Sequence, residues 1–314
     1  MKISLAYEDP LQLSETLQEL GQVTRITQLE NGEGQYTMAH KRSSGIAIAE
    51  ISATKPLLYE GWGTDWSVDF NWITPKHKSS TPFGYCEGYE MSPNSIGGLN
   101  TLNTMPGGSW GKYSGACSST ACMLNKQILL DALKKCHAKT AIENLSKSRG
   151  IDVNTEAFSQ LRRLTRRDLI KGISNPSKYY DLMIACLEEG GKRLYKKGEA
   201  KNQRLLGEIV NLSHDINKMK TPMTLSDVCQ QLNAGQASLY RVCQDHFGMG
   251  VIEMMTQVRL EEARREMLYQ KVNMPNTTSV IREIAIRFGF KHQGRFSRRY
   301  FTAFGELPSQ TLDD

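Results

Sequence analysis

The stretch FGFKHQGRFSRRYFTAFGELPSQ (residues 288–310) decides the fold of the C-terminal part of this chain. It is dense in aromatic and basic side chains and holds a single carboxylate, Glu306. Such a composition suits a helix lying on a membrane, a platform that stacks single-stranded bases, or a helix that presents a basic face to duplex DNA. The rest of the sequence distinguishes these three uses.

The pattern of this stretch occurs twice in the chain. LSDVCQQLNA (225–234) aligns with IREIAIRFGF (281–290), and SLYRVCQDHFG (238–248) aligns with RFSRRYFTAFG (295–305). The second copy has one extra residue in its turn, because the offset between the copies increases by one along the alignment. An internal repeat of this kind indicates a duplicated supersecondary unit.

Each copy predicts a helix-turn-helix motif, HTH1 at about 225–248 and HTH2 at about 281–305. In each, a short helix leads into a tight turn at a residue that tolerates positive φ, and a second helix follows and ends at glycine. The residues expected at the turns are Asn233 and Gly289, and those expected at the helix ends are Gly248 and Gly305. Between the motifs, residues 251–270 lack Gly and Pro and predict one long helix that acts as a spacer.

The second helix of each motif has one apolar and one polar face. Leu239, Val242 and Cys243 are expected to face inward in HTH1, as are Phe296 and Tyr300 in HTH2. Gln and Arg on the outer face are suited to bidentate contacts with adenine and guanine edges in the major groove. The candidate DNA-binding residues are Gln236, Ala237, Tyr240, Arg241 and Gln244 in HTH1, and Gln293, Gly294, Arg295, Ser297 and Arg298 in HTH2.

These residues resemble the DNA-binding domain of the AraC/XylS family of bacterial transcription regulators. The resemblance covers about residues 218–312 and rests on Leu225-Ser226-Asp227-Val228, Gly248, Val258-Arg259-Leu260, Ala263-Arg264, Ile284-Ala285, Phe288-Gly289-Phe290, Phe296-Ser297-Arg298, Tyr300-Phe301, Phe304-Gly305 and Pro308-Ser309. It implies two helix-turn-helix motifs joined by a long helix, with recognition helices in successive major grooves roughly 34 Å apart.

The opening stretch is therefore interpreted as part of a DNA-binding fold. Its aromatics Phe288, Phe290, Phe296, Tyr300 and Phe304 recur at core positions of HTH2, which disfavours a stacking platform. Gly289 interrupts the stretch, which disfavours a membrane-surface helix. Arg298 is the best candidate for reading bases, whereas Arg299 is expected to snorkel along apolar surface.

Charge is distributed unevenly along the 314 residues, which have a net charge of +6. Residues 1–123 carry 8 basic and 12 acidic side chains, residues 124–215 carry 18 and 11, and residues 216–314 carry 13 and 10. The later parts are thus the ones suited to approach a polyanion. No window of the sequence has the length of uncharged apolar residues that a transmembrane helix needs, so we expect a cytoplasmic protein with no membrane partner.

The first third of the chain predicts mostly β structure. Residues 45–53 predict a strand, and residues 66–73 alternate strictly, which predicts a half-buried strand with Trp66, Val68, Phe70 and Trp72 on its apolar face. This region resembles the β-rich sensor domain of ethanolamine-operon-type regulators in the same family. Residues 124–215 instead show helical spacing, including a helix over 154–168 capped by Asn154 and another from Pro176 to Gly190.

Other chemistry-bearing motifs favour structural roles. Residues 107–111 fit the G-x-S-x-G pattern of a nucleophile elbow, but no helical periodicity follows them, so we interpret them as a turn. The six histidines form no i, i+4 pair, and the seven cysteines include no C-x-x-C pair. We therefore expect no catalytic residue, no metal site and no cofactor. The four tryptophans lie in the first third, where they form either sheet core or the lining of a sensor pocket.

The sequence predicts an α+β protein with three parts: a β-rich sensor domain (1–123), a helical block for linkage or dimerisation (124–215), and an all-α DNA-binding domain with two helix-turn-helix motifs (216–314). The expected function is sequence-specific regulation of transcription, as an effector-responsive activator. Expected partners are double-stranded promoter DNA, RNA polymerase, an unidentified small-molecule effector and a second copy in a homodimer. An enzyme fused to a helix-turn-helix module and an architectural DNA binder of low specificity remain as alternatives.

Overall fold

A computed structural model describes residues 5–7, 9–62, 66–78, 83–99, 109–192, 199–215, 221–273 and 278–313. The contacts divide the chain into two units: Met1–Ile26 with Gln35–Ala200, and Thr27–Gly34 with Lys201–Asp314. The first unit holds the sheets and the second is helical, so the α+β class predicted from the sequence is confirmed. The division into parts at 123 and 215 stays a prediction.

Two sheets make up the β structure. The larger has eight strands in the order β1-β3-β4-β11-β6-β9-β12-β13, and the smaller has five in the order β2-β5-β10-β7-β8. The strands are β1 Leu5–Tyr7, β2 Val23–Gln28, β3 Tyr36–Ser43, β4 Ile46–Ala53, β5 Leu57–Trp62, β6 Ser67–Pro75, β7 Gly84–Cys86, β8 Tyr89–Glu90, β9 Ser95–Gly97, β10 Ser109–Tyr113, β11 Cys117–Asn125, β12 Gly150–Asp152 and β13 Gly191–Lys192. The strands predicted at 45–53 and 66–73 are thus confirmed as β4 and β6.

Helices accompany these sheets in the first unit. They are α1 Pro10–Glu19, α2 Lys126–Lys135, α3 Lys139–Lys147, α4 Glu156–Lys171 and α5 Ser177–Glu189. The helix predicted between Pro176 and Gly190 is confirmed. The cap predicted for α4 is wrong by one residue, because the cap is Thr155 and not Asn154. Thr155 has an extended backbone, and its hydroxyl group accepts the backbone N–H of Phe158 at 3.3 Å.

The large sheet is covered on both faces. One face, which includes Ile48, Phe70 and Leu124, packs against α2, α4 and α5 through residues such as Leu129 and Phe158. The other face packs against α1 and the smaller sheet in a second cluster. The helices that follow the strands in sequence thus cover the apolar face of the sheet that the smaller sheet leaves open.

The prediction that β6 is half-buried is wrong. Val68, Phe70 and Trp72 lie in the helix-covered core, as expected. The prediction that Trp66 shares this face is wrong, because Trp66 precedes β6 and packs against the cluster on the other face of the sheet. The polar face of β6 is buried too, with Ser67 only 3% and Asp69 only 7% exposed. The alternation of β6 therefore separates two buried environments rather than a core from solvent.

The second unit is built from α6 Glu199–Ser213, α7 Leu225–Gln231, α8 Gln236–Phe247, α9 Val251–Asn273, α10 Thr278–Arg287, α11 Gln293–Phe304 and α12 Pro308–Asp313. The long helix predicted between the two motifs is confirmed as α9. With 23 residues it is roughly 35 Å long.

Residues 27–34, which run from the end of β2 toward the start of β3, belong to this second unit. The backbone N–H of Gln28 donates to Glu261 Oε1 at 3.1 Å. The backbone N–H of Gly32 donates to the carbonyl oxygens of Thr302 and Ala303 at 3.1 and 3.0 Å. This segment thereby satisfies carbonyl groups near the C-terminal end of α11, which have no partner within the helix.

Candidate nucleic-acid interface

The helix-turn-helix geometry of HTH1 begins with a capping box. The backbone N–H of Asp227 donates to Thr224 Oγ1 at 3.2 Å, and the backbone N–H of Thr224 donates to Asp227 Oδ2 at 2.8 Å. Hydrogen bonds donated by the backbone N–H and the hydroxyl group of Thr224 lower the pKa of the Asp227 carboxyl group. The capping box fixes the first residue of α7 and the direction of the chain that enters this helix.

The turns and helix ends predicted for both motifs are confirmed. Asn233 has φ +46° and Gly289 has φ +80°, so each turn reverses through the left-handed region. Gly248 and Gly305 end α8 and α11 with left-handed backbones, φ +74° and +80°. A side chain at Gly305 would be strained by this φ, which explains why glycine stands there.

The faces of the two second helices are also as predicted. Leu239, Val242 and Cys243 are buried on α8, and Phe296 and Tyr300 are buried on α11. Among the candidate DNA-binding residues, Ser297 is half-buried. The exposed candidates are Gln236, Ala237, Tyr240, Arg241, Gln244, Gln293, Gly294, Arg295 and Arg298. Their exposure leaves them available for contact with a ligand, and their contact with DNA stays a prediction.

Two candidates show local features beyond exposure. Gln244 Nε2 donates to the carbonyl oxygen of Gly248 at 3.2 Å, so this side chain stabilises the end of α8. A Cβ added at Gly294 would meet nothing within 4 Å. Gly294 therefore exposes the backbone of the first turn of α11, where a phosphate or base edge could approach closely.

Aromatic side chains hold the α11 helix in place. Phe288, Phe290, Phe296, Tyr300 and Phe304 are each at most 8% exposed, which confirms their predicted core positions. Ring centroids of Phe290 and Phe296 are 5.0 Å apart, and those of Tyr300 and Phe304 are 4.6 Å apart. Such rings bury large areas in well-defined orientations, so α11 is a rigid support for its outer face.

A polar cluster joins α9, α11 and α12. Arg264 Nη2 lies 2.9 Å from Glu306 Oε1, and the Arg264 guanidinium lies 4.9 Å from the Phe304 ring centroid. Thr311 Oγ1 donates to Glu306 Oε1 at 2.9 Å and lies 2.8 Å from the Tyr300 hydroxyl. Glu306, the one carboxylate of the opening stretch, is therefore a structural residue of HTH2.

A basic groove runs beside α11. It has a volume of about 1250 Å³ and is lined by Lys291, His292, Arg295 and Arg298, among others. Arg259 of α9 lies in its wall, with its guanidinium 5.2 Å from the Phe290 ring centroid. Burial, followed by the charge of Arg299, lowers the pKa of Arg259 to about 10. Only the run of basic residues in 281–300 indicated such a surface from the sequence.

The segment that fits the G-x-S-x-G pattern lies partly in a strand. Ser109 begins β10, which continues as a strand to Tyr113 and not as a helix. The interpretation of this segment as a turn is wrong for 109–111, and residues 107 and 108 lie outside the described residues. Within the described residues, no group of three or more His, Cys, Asp or Glu side chains is placed to hold a metal ion. In that same part of the chain no helix is long and apolar enough to cross a membrane.

Comparison with known proteins finds a family, relatives and solved structures that are similar to parts of this chain. Residues 228–314 match the family described as Helix-turn-helix domain. The "XylDLEGF operon transcriptional activator 2" of Pseudomonas putida is 27% identical over 138 residues, which are 43% of this chain and 84% of that protein. The "Probable thc operon regulatory protein" of Rhodococcus erythropolis is 29% identical over 133 residues, 42% of this chain and 37% of that protein.

One matching solved structure is that of the AraC-like transcriptional activator CuxR. It is 13% identical, with a TM-score of 0.35, over 84% of this chain and 95% of that chain. The chain thus spans little more than a third of the length of the Rhodococcus relative.

The two turn-linked helix pairs and the family match define the class: the chain is a DNA-binding transcription regulator of the helix-turn-helix type. Residues 228–314 form its helix-turn-helix domain, and the relatives described above are named as regulators of operons.

Proposed function

We propose that this regulator recognises a specific duplex-DNA site through α8 and α11 and activates transcription in response to a small effector. The observation that supports this most directly is the repeated two-sided helix. In both motifs one face is buried, while Gln and Arg side chains stand on the exposed face. Side chains of this kind read base edges, and neighbouring cations contact phosphate.

The organisation proposed for the chain assigns a task to each region. The β-rich region at 1–123 holds the effector, the region at 124–215 supports linkage or pairing of two copies, and the region at 216–314 binds promoter DNA. RNA polymerase is the proposed partner at the promoter, as for an activator. A protein with these tasks acts in the cytoplasm, where the DNA is.

A specific regulator differs from an architectural binder in that it binds some DNA sequences much more tightly than others. We expect the purified protein to select a subset of random genomic fragments, and to bind them at least about 10³-fold more tightly than random DNA at the same salt concentration. Equal affinity for selected and random fragments would contradict the proposal and favour the architectural alternative.

The assignment of the reading helix is tested by Gln293→Ala and Arg298→Ala. Each should cost about 1–3 kcal/mol of binding free energy at the selected site and relax base preference at one position. Arg204→Ala is the matched control, because Arg204 is exposed on α6 and pairs with Glu208 at 2.8 Å. A footprint unchanged by both reading-helix variants would exclude α11 as the reading helix.

A further inference from the structure

A cavity of about 70 Å³ lies between the two sheets of the first unit. One water needs roughly 10–15 Å³ of such space, so the cavity holds a few waters or one small organic molecule. Its walls come from β4, β6 and β11 of the large sheet, from β2, β5, β7 and β10 of the small sheet, and from α1. The polar face of β6, which is buried rather than solvated, supplies Asp69 and Asn71 to this cavity.

The one carboxyl group among the described lining residues makes the cavity acidic. Asp69 is the single ionisable carboxylate among its described lining residues, which include no Lys, Arg or His. Ser67 Oγ donates to Asp69 Oδ1 at 2.7 Å, and Gln22 Nε2 donates to Asp69 Oδ2 at 3.3 Å. Both bonds come from neutral groups, and no cation of the described residues pairs with this carboxylate. An isolated buried carboxylate is costly, and burial accordingly raises the pKa of Asp69.

One hydroxyl group that lines the cavity has no hydrogen-bond partner among the described residues. This group is Oγ1 of Thr24, a residue that is 8% exposed. Buried hydroxyl groups are normally hydrogen-bonded, so a group in this position is suited to accept a hydrogen bond from a molecule inside the cavity.

Aromatic rings complete the lining. Tyr59 and Tyr113 both line the cavity, with ring centroids 5.5 Å apart and planes at 74°, and Trp110 lines it as well. Burial raises the pKa of both tyrosine hydroxyls, so the rings are neutral. The faces of neutral aromatic rings attract cations, and this attraction strengthens when the cation is desolvated.

We infer that this cavity binds a small molecule that carries a protonated amine, with Asp69 as the counter-charge, Thr24 Oγ1 as an acceptor and the Tyr59, Tyr113 and Trp110 rings around the cation. Carboxylate-bearing molecules of the same size are disfavoured, because they would place a second negative charge beside Asp69 without a compensating cation. The inference rests on the proposed effector response and supplies the chemical class of that effector.

The experiment compares three size-matched probes: n-propylammonium chloride, propan-1-ol and sodium propionate. The readout is the midpoint of thermal unfolding of the full chain at constant ionic strength. At about 100 mM, a probe with a dissociation constant of about 1 mM stabilises the fold measurably. We expect propylammonium to raise the midpoint and the other two probes to leave it unchanged. An equal rise with propionate, or no rise with propylammonium, would overturn the inference.

Two variants connect the binding to the cavity. Asp69→Asn keeps the side-chain shape and removes the charge, and it should weaken propylammonium binding at least about tenfold, the usual effect of losing a charged hydrogen bond. Thr24→Val keeps the shape and removes the acceptor, and it should weaken binding by a smaller factor even if Asp69→Asn does not fold. Undiminished binding in a folded Asp69→Asn variant, or in Thr24→Val if the former is unfolded, overturns the inference.

DNA selection on the same preparations separates this inference from the proposed function. Sequence-specific DNA binding without propylammonium binding contradicts the inference alone. Propylammonium binding without sequence-specific DNA binding contradicts the proposed function alone, because the cavity would then serve another role.

Discussion

Glu306 Oε1 accepts hydrogen bonds from the guanidinium of Arg264, with Nη2 at 2.9 Å and Nε at 3.1 Å. The two residues are 42 positions apart in sequence, and neither side chain is more than 26% exposed. This pair ties the long helix α9 to the segment that follows α11. It therefore contributes to the position of the proposed reading helix without facing DNA itself.

Glu306→Gln should destabilise HTH2, because it removes the charge that pairs with a largely buried guanidinium. We expect the free energy of unfolding of the second unit to fall by about 1–3 kcal/mol in urea titrations. Glu208→Gln is the control, since the Arg204–Glu208 pair is exposed and should contribute at most about 1 kcal/mol. Equal losses in both variants would show that the Arg264–Glu306 pair has no special structural role.

The aromatics of the opening stretch predict opposite results for two phenylalanines five residues apart. Phe296 is fully buried and contacts Phe290 and Tyr300, so Phe296→Ala should cost about 3–5 kcal/mol of folding free energy. Phe301 is 52% exposed, so Phe301→Ala should change the folding free energy by about 0.5 kcal/mol or less. Chemical unfolding followed by far-UV circular dichroism measures the folding free energy of both variants. A large loss from Phe301→Ala would instead indicate that its ring is covered in the folded protein.

Asp69 predicts a pH-dependent stability of the ligand-free protein. Burial raises its pKa above that of the unfolded chain, against the smaller effects of the Ser67 and Gln22 hydrogen bonds. A raised folded-state pKa contributes stability below the unfolded pKa of about 3.9, and that contribution is lost as pH rises through the folded-state pKa. The stability of the wild type minus that of Asp69→Asn should therefore decrease with rising pH. Urea midpoints of both proteins across the acid-to-neutral range measure this difference, and an increase with pH would contradict the assigned direction.

Arg241 and Arg298 occupy the same position in the two repeats, and both are exposed. If each motif reads its own part of the site, Arg241→Ala and Arg298→Ala should relax base preference at two positions separated by about one helical turn, roughly 10–10.5 base pairs. Selection of randomised sites with each variant measures these positions. Relaxation at the same position in both variants would contradict independent reading by HTH1 and HTH2.

Sequence reasoning predicted the second unit well because its determinants are local. Turn residues such as Asn233 and Gly289 impose positive φ directly, and the apolar spacing of α11 identifies Phe296 and Tyr300 as core. The first unit was harder, because its determinants depend on what covers a strand. Alternation in β6 identified its two faces, but only the second covering layer determines that Asp69 is buried. The role of Gln28 was beyond local patterns altogether, since its partner Glu261 lies 233 residues away.

The eight residues from 27 to 34 make the second unit discontinuous in the gene. A cloned fragment that starts at residue 201 lacks the backbone donors of Gln28 and Gly32 and leaves the carbonyls of Thr302 and Ala303 to water. A chimeric regulator that receives only the contiguous segment from residue 201 onward lacks the same hydrogen bonds. To transfer the whole second unit, two separate coding segments are needed: residues 27–34, which lie within the coding region of the first unit, and the segment from residue 201 onward.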